Sequence, residues 1–151
     1  LSQILLALQL THPHDAATVY YRSRPFMLAA GLSLKEAIAA GMAKTGSPSE
    51  GRDVGVVFSM QSRDNRITVL PSSGDVGAQY TPAAGWAQAV QYHRDVLDDK
   101  EWDKAIAVAH GGEGSIAANG FWAALNIAST RKIPMLFFIE DNALNVRNLD
   151  I

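Results

Sequence analysis

The chain has 151 residues, 48% hydrophobic and 19% charged, which suits a single folded domain with a sizeable core. A net charge of −2 gives no basic footprint for nucleic acid, and the absence of cysteine excludes disulfides and thiolate zinc sites. No apolar run approaches the roughly 20 residues needed to span a bilayer, so no membrane role is expected, and Leu1–Leu10 lacks the basic flank and cleavage pattern of a signal peptide.

In chain order, Leu1–Leu10 is an apolar helical segment, broken by Thr11-His12-Pro13-His14-Asp15. Two histidines and an aspartate suggest a metal site. The plainer reading, a polar turn in which Asp15 caps a helix from Ala16, is preferred. Val19–Arg24 carries Arg22 and Arg24, whose planar guanidinium groups suit phosphate, although a pair of surface arginines is the plainer reading. Ser33–Lys44 is predicted as an amphipathic helix with a Ser33–Glu36 capping box and Leu34, Ala37, Ile38 and Met42 inside. A Gly-, Pro- and Ser-rich loop over 45–53 follows, then an extended apolar segment over 54–60 and a charged loop over 61–66. Ile67–Leu70 is predicted as a short strand. Thr81–Leu97 is predicted as a helix with Pro82 in its first turn and a thin face of Ala83, Ala84, Gly85 and Ala87.

The most informative stretch is 105–142. Ala105–Ala109 reads as a buried strand, ending in a glycine turn at His110-Gly111-Gly112-Glu113-Gly114-Ser115. Ala117–Arg131 is a helix with Phe121, Ala124, Leu125 and Ala128 on one face, and Pro134–Ile139 is a second buried strand. A βαβ unit of this kind makes the strands parallel, and ligands bind outside the carboxyl ends of parallel strands. Glu113 and Asn142 both fall at such ends. Carboxylate, amide and loop carbonyl oxygens suit Mg²⁺ or Ca²⁺, and a glycine turn opening a helix suits phosphate. The spacing therefore suggests a metal-bridged diphosphate site. His110 offers an acid/base at the mouth of that site, against the plainer role of a histidine closing a strand.

These residues carry a resemblance. Gly112-Glu113-Gly114, then Phe121, Ala124-Leu125-Asn126, Lys132-Ile133-Pro134, MLFFI and Glu140-Asp141-Asn142 resemble the thiamine-diphosphate motif. The likeness is greatest to the alpha subunit of the 2-oxoacid dehydrogenase first component, pyruvate or branched-chain type. Tyr21-Arg22-Ser23 and Gly74-Asp75-Val76-Gly77-Ala78-Gln79 extend it in the right order over most of the chain. Glu113 replaces the usual Asp and Asp141 the usual first Asn; the longer carboxylate shifts the metal or its loop. Gln61 stands where the family has a histidine after Ser59-Met60.

The resemblance implies an α/β fold, a three-layer parallel sheet of the thiamine-diphosphate-binding type, with residues 1–151 forming part of a single domain. The start without Met suggests the N-terminal half of a longer subunit. It implies thiamine diphosphate held by Tyr21, Arg22, Gly74, Val76, Gly112, Glu113, Gly114, Ser115 and Asn142. It implies Mg²⁺ on Glu113, Asn142 and Leu144. The implied reaction is oxidative decarboxylation of a 2-oxoacid, with acyl transfer to a lipoyl group on an acyltransferase. The activating glutamate would come from a beta subunit or fused beta domain in an α2β2 or fused-chain assembly, and the family's catalytic histidine lies further downstream. The implied compartment is bacterial cytoplasm or mitochondrial matrix. Other readings of the same residues are a transketolase-like or other thiamine-dependent enzyme and a non-catalytic nucleotide-binding module.

Overall fold

The computed structural model describes residues 1–53, 55–62 and 67–142. Its centre is a five-stranded sheet ordered β2-β3-β1-β4-β5. The strands are β1 (Asp15–Thr18), β2 (Met60–Gln61), β3 (Ile67–Val69), β4 (Ala107–Gly112) and β5 (Met135–Glu140). β3, β1, β4 and β5 are parallel neighbours, whereas β2 runs antiparallel at the edge. The helices are α1 (Ser2–Gln9), α2 (Arg24–Ala29), α3 (Leu34–Gly41), α4 (Tyr80–Asp95) and α5 (Asn119–Arg131). Short 3₁₀ turns at Lys100–Trp102 and Glu113–Ala117 lead into β4 and α5.

Alternation along β4 splits the core into two layers. Val108 packs with Ala17, Val19, Phe26 and Met27 on the α1–α3 side. Ala107 and Ala109 pack with Tyr80, Ala83, Ala87 and Ala124 on the α4–α5 side. Successive side chains point to opposite faces, so a strand buried on both must be apolar or small throughout. β4 meets this at every position but His110, and all six of its residues are buried. The result is helices on both faces of a mostly parallel sheet, the three-layer α/β architecture expected.

Several expectations are corrected. Asp15 does not cap a helix; it opens β1, the strand between β3 and β4. Its carboxylate accepts from the N–H of His12 (2.9 Å) and of Ile106 (3.0 Å), tying the turn to the approach of β4. His14 joins no metal cluster: among the described residues no group of three His, Cys, Asp or Glu could hold one. Its ring stacks on Trp102 instead, centroids 3.8 Å apart.

The glycine turn begins later than expected, because Gly111 and Gly112 belong to β4 and pair with Ile139 and Glu140. α3 has the predicted capping box, Glu36 N–H donating to Ser33 Oγ and Ser33 N–H to Glu36 Oε2. It buries Ala37 and Ala40, however, leaving Leu34, Ile38 and Met42 exposed. On α4 the small face holds for Ala83, Ala84 and Ala87, but Gly85 is exposed.

Candidate functional site

A cleft of about 280 Å³ opens at the carboxyl ends of the parallel strands. Four segments build it. Tyr20, Tyr21 and Arg22 follow β1; Ser73, Gly74, Asp75, Val76 and Gln79 follow β3; Gly112 ends β4, and Glu113, Gly114 and Ser115 follow it; and Asn142 follows β5. All nine residues that the sequence designates for a cofactor line this one cleft, although they come from four separate stretches of chain. Leu144 lies outside the described residues. Arg24 is elsewhere: it opens α2, with its guanidinium near Gly41.

Close packing forces this convergence. The loop after β3 crosses α5 at Gly77, which has φ +91°, a conformation that favours glycine. A Cβ there would lie 2.3 Å from that of Ala118, and one on Gly120 would lie 2.8 Å from the Gly77 carbonyl oxygen. Behind the loop, Gln79 donates its amide to the His110 carbonyl at 2.9 Å, both residues being buried. Gly74 and Val76 are thereby held over the end of β4.

Beneath the cleft, Ser115 Oγ donates to the Gly112 carbonyl (2.6 Å) and lies 2.5 Å from the Tyr80 hydroxyl. A serine has one hydroxyl proton, so Tyr80 is the donor in that second bond. Burial holds the Tyr80 hydroxyl above its ordinary pKa. Gly111 must be glycine, because a Cβ there would stand 1.9 Å from the Tyr80 oxygen.

On the other wall, Tyr20 donates to Glu140 Oε2 at 2.7 Å. Burial first, and then this bond to the carboxylate, raise the tyrosine's pKa. The Arg22 guanidinium lies 5.7 Å from the Tyr20 ring centre and 5.2 Å from that of Tyr21. Among the described residues it has no carboxylate within ion-pair distance. An exposed arginine braced by two rings at a cleft mouth is suited to an anion.

Glu113 bears on a metal most directly. Its Oε2 is buried and has no hydrogen-bond partner among the described residues. An unpartnered buried carboxylate oxygen is costly unless a cation or donor meets it. With the amide of Asn142 in the same cleft, the donor set is hard oxygen in a small number, the pattern of Mg²⁺ completed by phosphate oxygens. The residues present therefore fit a Mg²⁺-diphosphate group.

His110 is not at the cleft mouth. It is fully buried between Phe26 (centroids 4.4 Å apart) and Phe138 (5.2 Å), and burial lowers its pKa to about 3. It is a neutral core histidine inside β4, which runs on to Gly112, with no access for proton transfer to a ligand. Sequence reasoning missed Tyr20, Ser73, Gln79 and Asp75 as lining residues. Gln79 and Asp75 lie within a stretch that was singled out, and helical or strand period gives no sign of the direction in which a loop side chain turns.

Fold and site together define an α/β protein with a cleft at the carboxyl edge of a mostly parallel sheet, where Arg22, Glu113 and Asn142 meet. The model of the family described as "Dehydrogenase E1 component" matches residues 2–146, and the chain belongs to that family. It is 31% identical over 142 residues to the 2-oxoisovalerate dehydrogenase subunit alpha of Bacillus subtilis, covering 93% of this chain and 39% of that one. It is 30% identical over 128 residues to the pyruvate dehydrogenase E1 component subunit alpha of Zymomonas mobilis, covering 85% and 33%. The mitochondrial 2-oxoisovalerate dehydrogenase subunit alpha 2 of Arabidopsis thaliana is 27% identical over 130 residues, covering 86% and 25%. The chain thus spans well under half the length of these relatives. No described helix is long and apolar enough to cross a membrane.

Proposed function

We propose that this chain supplies the Mg²⁺-diphosphate-binding half of a thiamine-diphosphate-dependent 2-oxoacid dehydrogenase. The reaction is oxidative decarboxylation of pyruvate or a branched-chain 2-oxoacid, with the acyl group passed to a lipoyl group of an acyltransferase. One observation carries the reading: nine designated residues converge on one cleft, among them Glu113, whose buried Oε2 has no hydrogen-bond partner among the described residues. When bound, thiamine diphosphate supplies the nucleophilic carbon and the electron sink for loss of CO₂.

The chain's own residues bind and orient. Glu113 and Asn142 hold the cation, joined by Leu144. Arg22, steadied by Tyr20 and Tyr21, meets the diphosphate, with Gly112, Gly114 and Ser115 beneath it. Gly74 and Val76 present backbone to the aromatic ring of the cofactor. Of the other glutamates, Glu36 closes the capping box and Glu101 faces His14, both on elements away from the cleft. As the family resemblance implies, the carboxylate that activates the cofactor would come from a beta subunit or domain. Bacterial cytoplasm or mitochondrial matrix is the compartment that goes with this reading.

The test is titration of the assembled protein, this subunit with its beta partner, with thiamine diphosphate with and without Mg²⁺. Tryptophan fluorescence is the readout. Saturable binding that requires Mg²⁺ and is not competed by nucleotides is expected. Nucleotide binding without Mg²⁺-dependent thiamine diphosphate binding would replace the proposal with a nucleotide-binding module.

A further inference from the structure

We propose that Gln3 is a positioning residue for the cleft, holding the Tyr20–Arg22 wall and the Glu140–Asn142 wall in fixed relation from a helix that lines neither. The inference rests on the Mg²⁺-diphosphate reading above and adds a residue outside the cleft to it.

Gln3 sits in the first turn of α1. Its neighbours on that helix, Ile4, Leu5 and Leu8, are exposed, yet Gln3 is only 5% exposed. A long amide drawn inward past exposed apolar side chains is the reverse of the usual partition, and it requires polar partners inside. Gln3 has them on three elements. Its Nε2 donates to Glu140 Oε2 at 2.6 Å and points to the Arg22 carbonyl at 3.5 Å. Its Oε1 accepts from the N–H of Phe26 at 3.3 Å. That N–H lies in the first turn of α2, whose N-cap residue Ser23 makes no side-chain cap bond. One side chain thus touches the exit of β1, the start of α2 and the end of β5.

The bond to Glu140 has the direct consequence for the cleft. Glu140 ends β5, opposite Gly112 in register, and two residues before Asn142. Its Oε2 accepts from both Gln3 and Tyr20, two neutral donors that fix a charged oxygen. Arg22 stands across the same tyrosine ring without a carboxylate partner among the described residues. Without Gln3, Glu140 loses its shortest hydrogen bond and can turn across Tyr20 toward the guanidinium. It would neutralise the charge that should meet phosphate and draw the Asn142 segment with it. Gln3 keeps the anion of Glu140 and the cation of Arg22 on separate partners.

Two substitutions separate this role from capping of α2. Gln3→Met keeps the shape and loses every hydrogen bond. Gln3→Glu keeps an acceptor for the Phe26 N–H and loses the donor to Glu140. The measurements, on the assembled protein, are the Mg²⁺ concentration that half-saturates thiamine diphosphate binding and the melting temperature without ligand. The expected result is a Mg²⁺ requirement raised about tenfold or more in both variants, with Gln3→Glu affected at least as strongly as Gln3→Met. Should Gln3→Met not fold, Tyr20→Phe, which removes the second donor to the same oxygen and leaves α1 intact, is expected to raise the requirement too. A wild-type Mg²⁺ requirement in Gln3→Glu, with a lowered melting temperature in Gln3→Met alone, would reduce Gln3 to a helix cap and overturn the inference while leaving the binding reading intact. Wild-type protein that binds no thiamine diphosphate with Mg²⁺ would overturn both.

Discussion

Gly77 and Ala118 pack so closely that the loop after β3 and the start of α5 behave as one piece: a Cβ on residue 77 would lie 2.3 Å from the Ala118 methyl. Gly77 also holds φ +91°, so an alanine there meets a conformational penalty and a clash together. Gly77→Ala is expected to cost about 2–4 kcal/mol in urea unfolding. Ala118→Gly in the same chain should return the steric part and leave about 1–2 kcal/mol of backbone strain. Ala118 is the N-cap position of α5, where glycine is tolerated, so the second change adds little cost of its own. Equal stability of single and double variants would show that the contact yields without cost.

Glu113 predicts an opposition between stability and binding. Its buried Oε2 lacks a partner among the described residues, so the unliganded protein carries an uncompensated polar atom. Glu113→Gln should leave the unliganded melting temperature unchanged or raise stability by about 1 kcal/mol. At a hundredfold excess over Kd, Mg²⁺ with thiamine diphosphate should stabilise the wild type by about 2.7 kcal/mol and the variant by almost nothing. Thermal unfolding with and without the pair of ligands checks both halves. A variant that gains as much as the wild type would remove Glu113 from the site.

The parts of this fold that were legible in the sequence share a local cause. The β4–α5–β5 unit is written in apolar runs and helical spacing, and the α3 cap in Ser33 and Glu36 three residues apart. The nine cleft residues designated from the sequence were legible through the family's motifs, not through periodicity. What stayed hidden depends on partners far along the chain. β1 is four residues of small or polar type, DAAT, and it is a strand because β3 and β4 flank it. Gly111 and Gly112 read as a turn, yet they are strand residues, and the missing side chain of Gly111 makes room for Tyr80. Leu34, Ile38 and Met42 form a sound apolar stripe that this chain leaves uncovered, because the helix turns Ala37 and Ala40 to the core. The Tyr20–Glu140 bond joins residues 120 apart, which no pattern of spacing reports.

His110 makes stability depend on pH. Burial lowers its pKa to about 3, against 6.5 for the free side chain. Between those values the unfolded chain binds a proton that the folded chain does not, so stability rises with pH across the window. The contribution is complete above about pH 6.5 and is lost as pH falls toward 3, at about 1.4 kcal/mol per unit of pH. From pH 6.5 to 4.5 the wild type should lose roughly 2 kcal/mol from this group. His110→Met, in the same apolar surroundings of Phe26 and Phe138, should flatten that part of the profile in urea titrations run across the range. An unchanged slope would place the acid sensitivity in other groups.

The contact of Gly111 with Tyr80 gives a prediction in which one substitution changes sign with its background. A Cβ at 111 would stand 1.9 Å from the Tyr80 oxygen, 2.6 Å from Ser115 Oγ and 2.9 Å from Tyr80 Cζ. Tyr80 cannot swing aside, since its fully buried ring packs on Phe121 at 5.1 Å and Phe137 at 6.1 Å. Gly111→Ala should therefore cost about 3 kcal/mol or more, at the upper end of overpacking. Tyr80→Phe alone removes the donor to Ser115 while Ser115 keeps its bond to the Gly112 carbonyl, a loss of about 1 kcal/mol. In the Gly111→Ala background the same Tyr80→Phe change removes the closest clash and should stabilise. The contact at Cζ remains, so recovery is partial. A double-mutant cycle by urea unfolding reads the coupling directly, because the two residues touch. Additive losses would mean that β4 moves as a whole to admit the methyl group. The strand that leads into Glu113 would then be softer than its burial on both faces implies, and loading the protein with Mg²⁺ and thiamine diphosphate should restore stability to Gly111→Ala more than to the wild type.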